Sequence, residues 1–150
     1  MTIEKLKEML DACYQAKRIR DMLPALPKDV LPSYVHFLDI IETMESQGIA
    51  VKVSNISDVL KLPRPGVSRT VKEMEEKGYL IKTASAEDGR ITYLTLTRKG
   101  KELSEKYNQK YFSALAGCMD EISEEDANTM IRTIDTFYQI MCERKIKIDE

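Results

Sequence analysis

The chain has 150 residues, 43% of them hydrophobic and 32% charged, and a net charge of −2. That balance suits one soluble domain and leaves no room for the separate substrate and cofactor domains of a large enzyme. No apolar run reaches the ~18–20 residues that cross a bilayer, and the first residues, MTIEKLKEMLDAC, lack the layout of a signal peptide, so a cytoplasmic protein without membrane contact is expected.

Ile3, Leu6, Met9, Leu10, Cys13, Ala16 and Ile19 recur at three- and four-residue steps and predict a helix over residues 2–22. Leu23-Pro24-Ala25-Leu26-Pro27 breaks that pattern. A second helix is expected over 31–47, with Pro32 in its first turn, Tyr34, Phe37, Leu38, Ile41 and Met44 on its apolar face, and Gly48 as its stop. Residues 49–53 read as a short extended segment. Ser54 is expected to cap a short helix over 55–61, with Ile56, Val59 and Leu60 inward. Leu62-Pro63-Arg64 forms a turn, and the next helix spans 65–77 and stops at Gly78.

Residues 79–83 and 90–96 read as a strand pair joined by a polar loop over 84–89. Thr97 is expected to cap a long helix over 98–119, where Leu103, Tyr107, Tyr111 and Leu115 lie four apart. Ser123-Glu124-Glu125-Asp126 matches a capping start for a last helix over 124–145. Its stripe is Met130, Ile131, Ile134, Phe137, Tyr138, Met141 and Cys142. The fold class is therefore mainly α with a small β-hairpin.

The charge is unevenly spread. Residues 61–101 hold 10 Lys/Arg against 5 Asp/Glu, a net of +5, whereas 1–60 (7 against 9) and 102–150 (6 against 11) are acidic. A basic face can bind phosphates while the rest of the molecule stays acidic. The order of short helix, turn, second helix and hairpin is that of a winged helix-turn-helix, whose second helix enters the major groove of duplex DNA. Val67, Val71, Met74 and Gly78 make the inner side of that helix; Pro65, Ser68, Arg69, Lys72 and Glu76 make the outer side. Arg69 can read guanine, and Ser54, Arg64, Pro65, Ser68 and Lys72 join it as candidate DNA contacts. Free N–H groups at the helix start favour a phosphate. In the wing, Arg90 suits the negative potential of a minor groove, and Asp88 is expected to hold it in a bidentate ion pair. Charges on an amphipathic helix are more often simply a solvated face; the hairpin and basic segment beside this one favour DNA.

The stretch from Ser54 to Thr97 resembles the DNA-binding half of the multiple-antibiotic-resistance regulator (MarR) family. Asp88, Arg90, Leu96 and Thr97 match its Asp-x-Arg-x5-Leu-Thr wing signature. Val67-Ser68-Arg69, Met74, Glu75-Glu76-Lys77-Gly78 and Tyr79-Leu80 match its recognition helix. The resemblance implies a homodimeric transcription regulator on double-stranded operator DNA, with dimerisation helices at 1–30 and 120–150, a winged helix-turn-helix lobe at 31–97 and a linking helix at 98–119. It also implies release by a small aromatic or anionic effector, for which Tyr14, Arg18, Tyr34, His36 and Tyr107 are candidate contacts. Two departures stand out. Pro63, Pro65 and Gly66 replace the usual serine- and threonine-rich helix start, and Ser57 stands where a small alanine is common, which reads as a minor change.

Cys13, Cys118 and Cys142 are far apart and His36 is the one histidine, so neither a metal site nor a cofactor is expected. Cys13 leaves a thiol-based redox sensor as an alternative; a winged-helix protein-interaction module without DNA binding is another. No Ser-His-Asp set or phosphate loop suggests an enzyme.

Overall fold

The computed structural model describes residues 1–144 and 146. Helix α1 (Ile3–Asp21) starts where the Thr2 hydroxyl accepts the Lys5 N–H at 3.1 Å. Its apolar stripe finds no cover: Ile3, Leu6, Leu10 and Ile19 are exposed, and α1 has no buried residue. Helix α2 (Pro32–Ser46) places Pro32 in its first turn and buries Tyr34, Phe37, Leu38, Ile40 and Ile41. It ends at Gly48, whose φ of +76° is open to glycine at little cost.

Helix α3 (Val53–Leu60) begins two residues earlier than it would with Ser54 as its cap. Lys52 is the cap residue, and its N–H donates to the Asn55 side-chain oxygen at 2.8 Å. Ser54 is thus a half-buried second residue of the helix. The extended segment expected at 49–53 is not a strand. It is tied to the hairpin by a bond from the Leu94 N–H to the Val51 carbonyl at 2.8 Å, and Val53 already belongs to the helix.

Helix α4 (Arg64–Glu76) buries Val67, Val71 and Met74. Strands β1 (Leu80–Ala84) and β2 (Thr92–Leu96) pair antiparallel, with Leu80 opposite Leu96 and Lys82 opposite Leu94. Alternation puts Leu94 and Leu96 into the core and leaves Thr95 outside.

Helix α5 (Arg98–Ser104) starts at Thr97, whose hydroxyl accepts the Gly100 N–H at 3.1 Å and donates to the Gly78 carbonyl at 2.6 Å. It continues through a π-helical turn, Glu105–Lys110, into α6 (Tyr111–Ala116), so the expected unbroken helix changes winding midway. The cause lies in the four-residue ladder. On an α-helix of about 3.6 residues per turn such a ladder drifts around the axis; a wider i→i+5 turn takes up the drift. Leu103 and Tyr107 are both buried. A polar network fastens the turn to α2: the Ser104 hydroxyl donates to Glu42, and the Asn108 amide donates to the Ser104 hydroxyl at 2.9 Å and the Val35 carbonyl at 3.0 Å.

Helix α7 (Glu124–Arg144) is capped by Ser123, which accepts the Asp126 N–H at 3.0 Å and donates to the Asp126 carboxylate at 2.7 Å. The expected end at Lys145, like residues 147–150 of the predicted 120–150 segment, lies outside the described residues. Met130, Ile131, Ile134, Tyr138 and Met141 are exposed and α7 has no buried residue. One core, running from Val30 to Tyr107, joins α2, α3, α4, the hairpin and the start of the long helical segment. Among the described residues, no helix is long and apolar enough to cross a membrane.

Candidate nucleic-acid interface

The outer face of α4 is built by the burial of its inner face. With Val67, Val71 and Met74 fixed in the core, helical spacing turns Pro65, Ser68, Arg69 and Lys72 to solvent, and all four are exposed. Among the described residues, Arg64, Arg69 and Arg90 make no ion pair. Two of the three acidic residues near the helix end are engaged off this face. Glu73 accepts the Tyr34 hydroxyl at 3.1 Å, Glu75 pairs with Lys82 of the wing at 2.9 Å, and Glu76 lies 3.9 Å from Lys72. Arg64 and Arg69 at the front of the helix are left open to a partner, while Glu73 and Glu75 tie its rear to the lobe and Glu76 lies beside Lys72.

The start of α4 departs from expectation. Pro63 and Pro65 have no N–H, and the Gly66 and Val67 amides both bond the Pro63 carbonyl, at 3.1 and 3.3 Å. The cradle of free amides expected for a phosphate is therefore reduced to the Arg64 N–H. The turn before it is closed by Ser57. Its buried hydroxyl donates to the Leu62 carbonyl at 2.5 Å, and the Leu62 N–H returns a bond to the Ser57 carbonyl at 3.1 Å. Ser57 is thus more than a minor change from alanine. Ser57→Ala is expected to cost about 1 kcal/mol of stability, read as a lower urea midpoint in circular dichroism; an unchanged midpoint would show the bond to be energetically neutral.

The wing tip is a set of satisfied amides. The Ser85 hydroxyl accepts the Glu87 and Asp88 N–H groups at 3.2 and 3.4 Å, and the Asp88 carboxylate accepts the Arg90 backbone N–H at 2.9 Å. The expected Asp88–Arg90 ion pair does not form. Asp88 fixes the backbone that carries Arg90 and leaves the guanidinium unbound, a common use of Asp in turns. The Ser-x-Glu-Asp order of residues 85–88 is the sequence signal for this turn-forming hydroxyl.

The five candidate effector contacts are dispersed. Tyr14 and Arg18 are exposed on α1 and His36 on α2. Tyr34 is buried, bonded to Glu73, with the Lys77 ammonium 5.1 Å from its ring centre. Tyr107 is buried at the π turn. None of them lines either of two surface hollows. One, of about 460 Å³, lies between α2 and the long helical segment, against Glu42, Thr43, Ser46, Lys101, Glu105 and Gln109. Beside it burial pushes the Glu45 carboxyl above its ordinary range, with Lys101 opposing and Glu42 reinforcing the shift. The other, of about 290 Å³, is an apolar gap between α1 and α7 where Cys13 faces Met130 and Phe137 among other residues. All three cysteines are free and exposed, and no cluster of His, Cys, Asp and Glu able to hold a metal occurs among the described residues.

An inward-facing apolar side, an outward-facing cationic side and a wing carrying a second arginine without an ion pair among the described residues define a winged helix-turn-helix. Residues 28–91, less than half of the chain, match the model of the MarR family. Solved structures with the same fold include Streptococcus pneumoniae FabT in complex with DNA, with a TM-score of 0.66 and 22% identity, over 93% of this chain and 97% of that one. The S. aureus MepR–DNA complex (0.61, 19%, 94% and 99%) and the adhesin competence repressor AdcR of Streptococcus pyogenes (0.61, 16%, 94% and 98%) share it too. No curated protein sequence matches the chain.

Proposed function

We propose that the chain is a cytoplasmic homodimeric repressor that binds operator DNA through α4 and the wing and leaves it when a small aromatic or anionic effector binds. The carrying observation is the exposed face of Pro65, Ser68, Arg69 and Lys72, set opposite a buried face, with no carboxylate paired to Arg69 among the described residues. In this reading Arg69, Ser68 and Pro65 meet base edges, Arg64, Lys72 and Ser54 meet the backbone, and Arg90, seated by Asp88, enters the minor groove. The bare apolar stripes of α1 and α7 support a second copy as their cover, since contiguous apolar patches of this kind mark interaction surfaces. Exposed Tyr14, Arg18 and His36 are open to an effector; buried Tyr34 and Tyr107 would act only through neighbours.

Fluorescence polarisation against random-sequence duplex tests the DNA arm. The affinity is expected to fall linearly in log–log with salt, because counterions leave the phosphates on binding. Undetectable or salt-independent binding at low ionic strength would sink it and favour a protein-interaction module. Sedimentation tests the dimer, with twice the chain mass expected at micromolar concentration.

A further inference from the structure

We propose that Pro65 reads the 5-methyl group of thymine, making the front of α4 an apolar, methyl-selecting contact. The inference rests on the DNA-binding reading above and names what one part of that face selects. Pro65 is the second residue of α4 and exposed, and it begins the line of Ser68, Arg69 and Lys72, three, four and seven residues on. It therefore shares their face. Leu62 and Pro63 precede it in the chain and are also exposed, Leu62 at 48%. Hydrogen-bonding capacity at this end is low: the Pro63 and Pro65 amides are absent and the Gly66 and Val67 amides are consumed.

The N-terminal residues of a recognition helix are those that reach base edges. On the major-groove edge, guanine, cytosine and adenine offer donors and acceptors, whereas thymine adds a methyl group. A proline ring pressed on a donor or acceptor strips its water and returns nothing, which disfavours those bases. Pressed on a methyl group, it buries apolar surface on both sides. The ring is already fixed in φ, so binding costs it little conformational freedom. Arg64 and Arg69, next to it in the chain and one turn on, supply the attraction that holds it there.

The test uses the full-length protein and the duplex that it selects from a random-sequence pool. The same duplex is then made with deoxyuridine for thymidine, which removes the methyl groups alone. Wild type is expected to lose about fourfold in affinity per methyl read. Pro65→Ala, and Pro65→Ser as a second variant, should bind the thymidine duplex as weakly as wild type binds the deoxyuridine one, with no further loss on deoxyuridine and with an unchanged melting midpoint. Equal wild-type affinity for both duplexes overturns the inference. So does the same deoxyuridine loss in wild type and variants, which would place the methyl reader elsewhere. A pool that yields no preferred duplex overturns the sequence-specific reading itself, and this inference with it.

Discussion

Replacing Gly100 with alanine is expected to destabilise the fold by about 3 kcal/mol, the upper end of what overpacking costs. A Cβ built there would stand 2.0 Å from the Tyr79 carbonyl oxygen, 3.1 Å from its carbon and 3.3 Å from Leu38 Cδ2. The first two neighbours are backbone and cannot swing aside. The Tyr79 carbonyl also accepts the Thr97 N–H at 3.1 Å, so moving it away from a methyl group stretches the bond that joins the cap of α5 to the residue before β1. Thr97 carries the rest of the clasp through Gly78 and Gly100, and Lys99 bonds the Lys77 carbonyl at 2.7 Å while lying 4.4 Å from the Tyr79 ring centre. Alanine is the better helix former by about 1 kcal/mol, which offsets only part of the clash. Urea unfolding should show a lower midpoint with an unchanged slope. The fraction that remains folded should also bind DNA more weakly, because the clasp sets the wing against the end of α4. Stability equal to wild type would mean that α5 can slide along β1 without loss, contrary to the close approach.

This clasp also shows which parts of the molecule were legible in the chain. Caps were legible where the partner is local: Thr97 and Ser123 each bond an amide three residues ahead, and residue type and spacing suffice for that. The inner face of α4 was legible because one face packs on a single core, so Val67, Val71 and Met74 stand out by period alone. Legibility failed where several local partners compete. Around α3, Ser54 and Asn55 could each serve the first amides, and the amide side chain of Asn55 takes that place. At the wing, Asp88 could serve the Arg90 guanidinium or its backbone, and the backbone, already held by the turn, is the nearer donor. It failed again where the partner is distant. Nothing local to Gly100 announces Tyr79 twenty-one residues before it, or to Asn108 the Val35 carbonyl. The π turn is a third case: a four-residue ladder is compatible with an unbroken α-helix, and only the packing of Leu103 and Tyr107 in the core selects the wider turn. In the candidate site, the exposed cations were found from charge and period, whereas Ser57 and Ser85, which shape the turns beside them, became visible only with the turns closed.

Arg69→Ala is expected to raise the dissociation constant for selected duplex by about a hundredfold, and Arg90→Ala to act differently in kind. A bidentate arginine–guanine contact carries about 1–3 kcal/mol of base discrimination, and a two-fold dimer would make it twice. Removing Arg69 should therefore weaken selected duplex far more than random duplex, and the difference between the two should shrink. Arg90 sits on a backbone fixed by Asp88 and Ser85, beyond the reach of the α4 face, where attraction to a narrow groove is a matter of potential more than of base identity. Its loss should weaken both duplexes to a similar extent and lower the slope of log affinity against log salt by about one for each copy. Both side chains are exposed and make no ion pair among the described residues, so melting midpoints should stay close to wild type, and a loss of binding cannot be assigned to unfolding. Polarisation titrations at several salt concentrations on the two duplexes separate the roles. If Arg69→Ala lost affinity equally on both duplexes, α4 would grip phosphates without reading bases, and specificity would have to come from the wing or from the proline-lined start of the helix. If neither variant changed binding, the DNA face would lie elsewhere on the molecule.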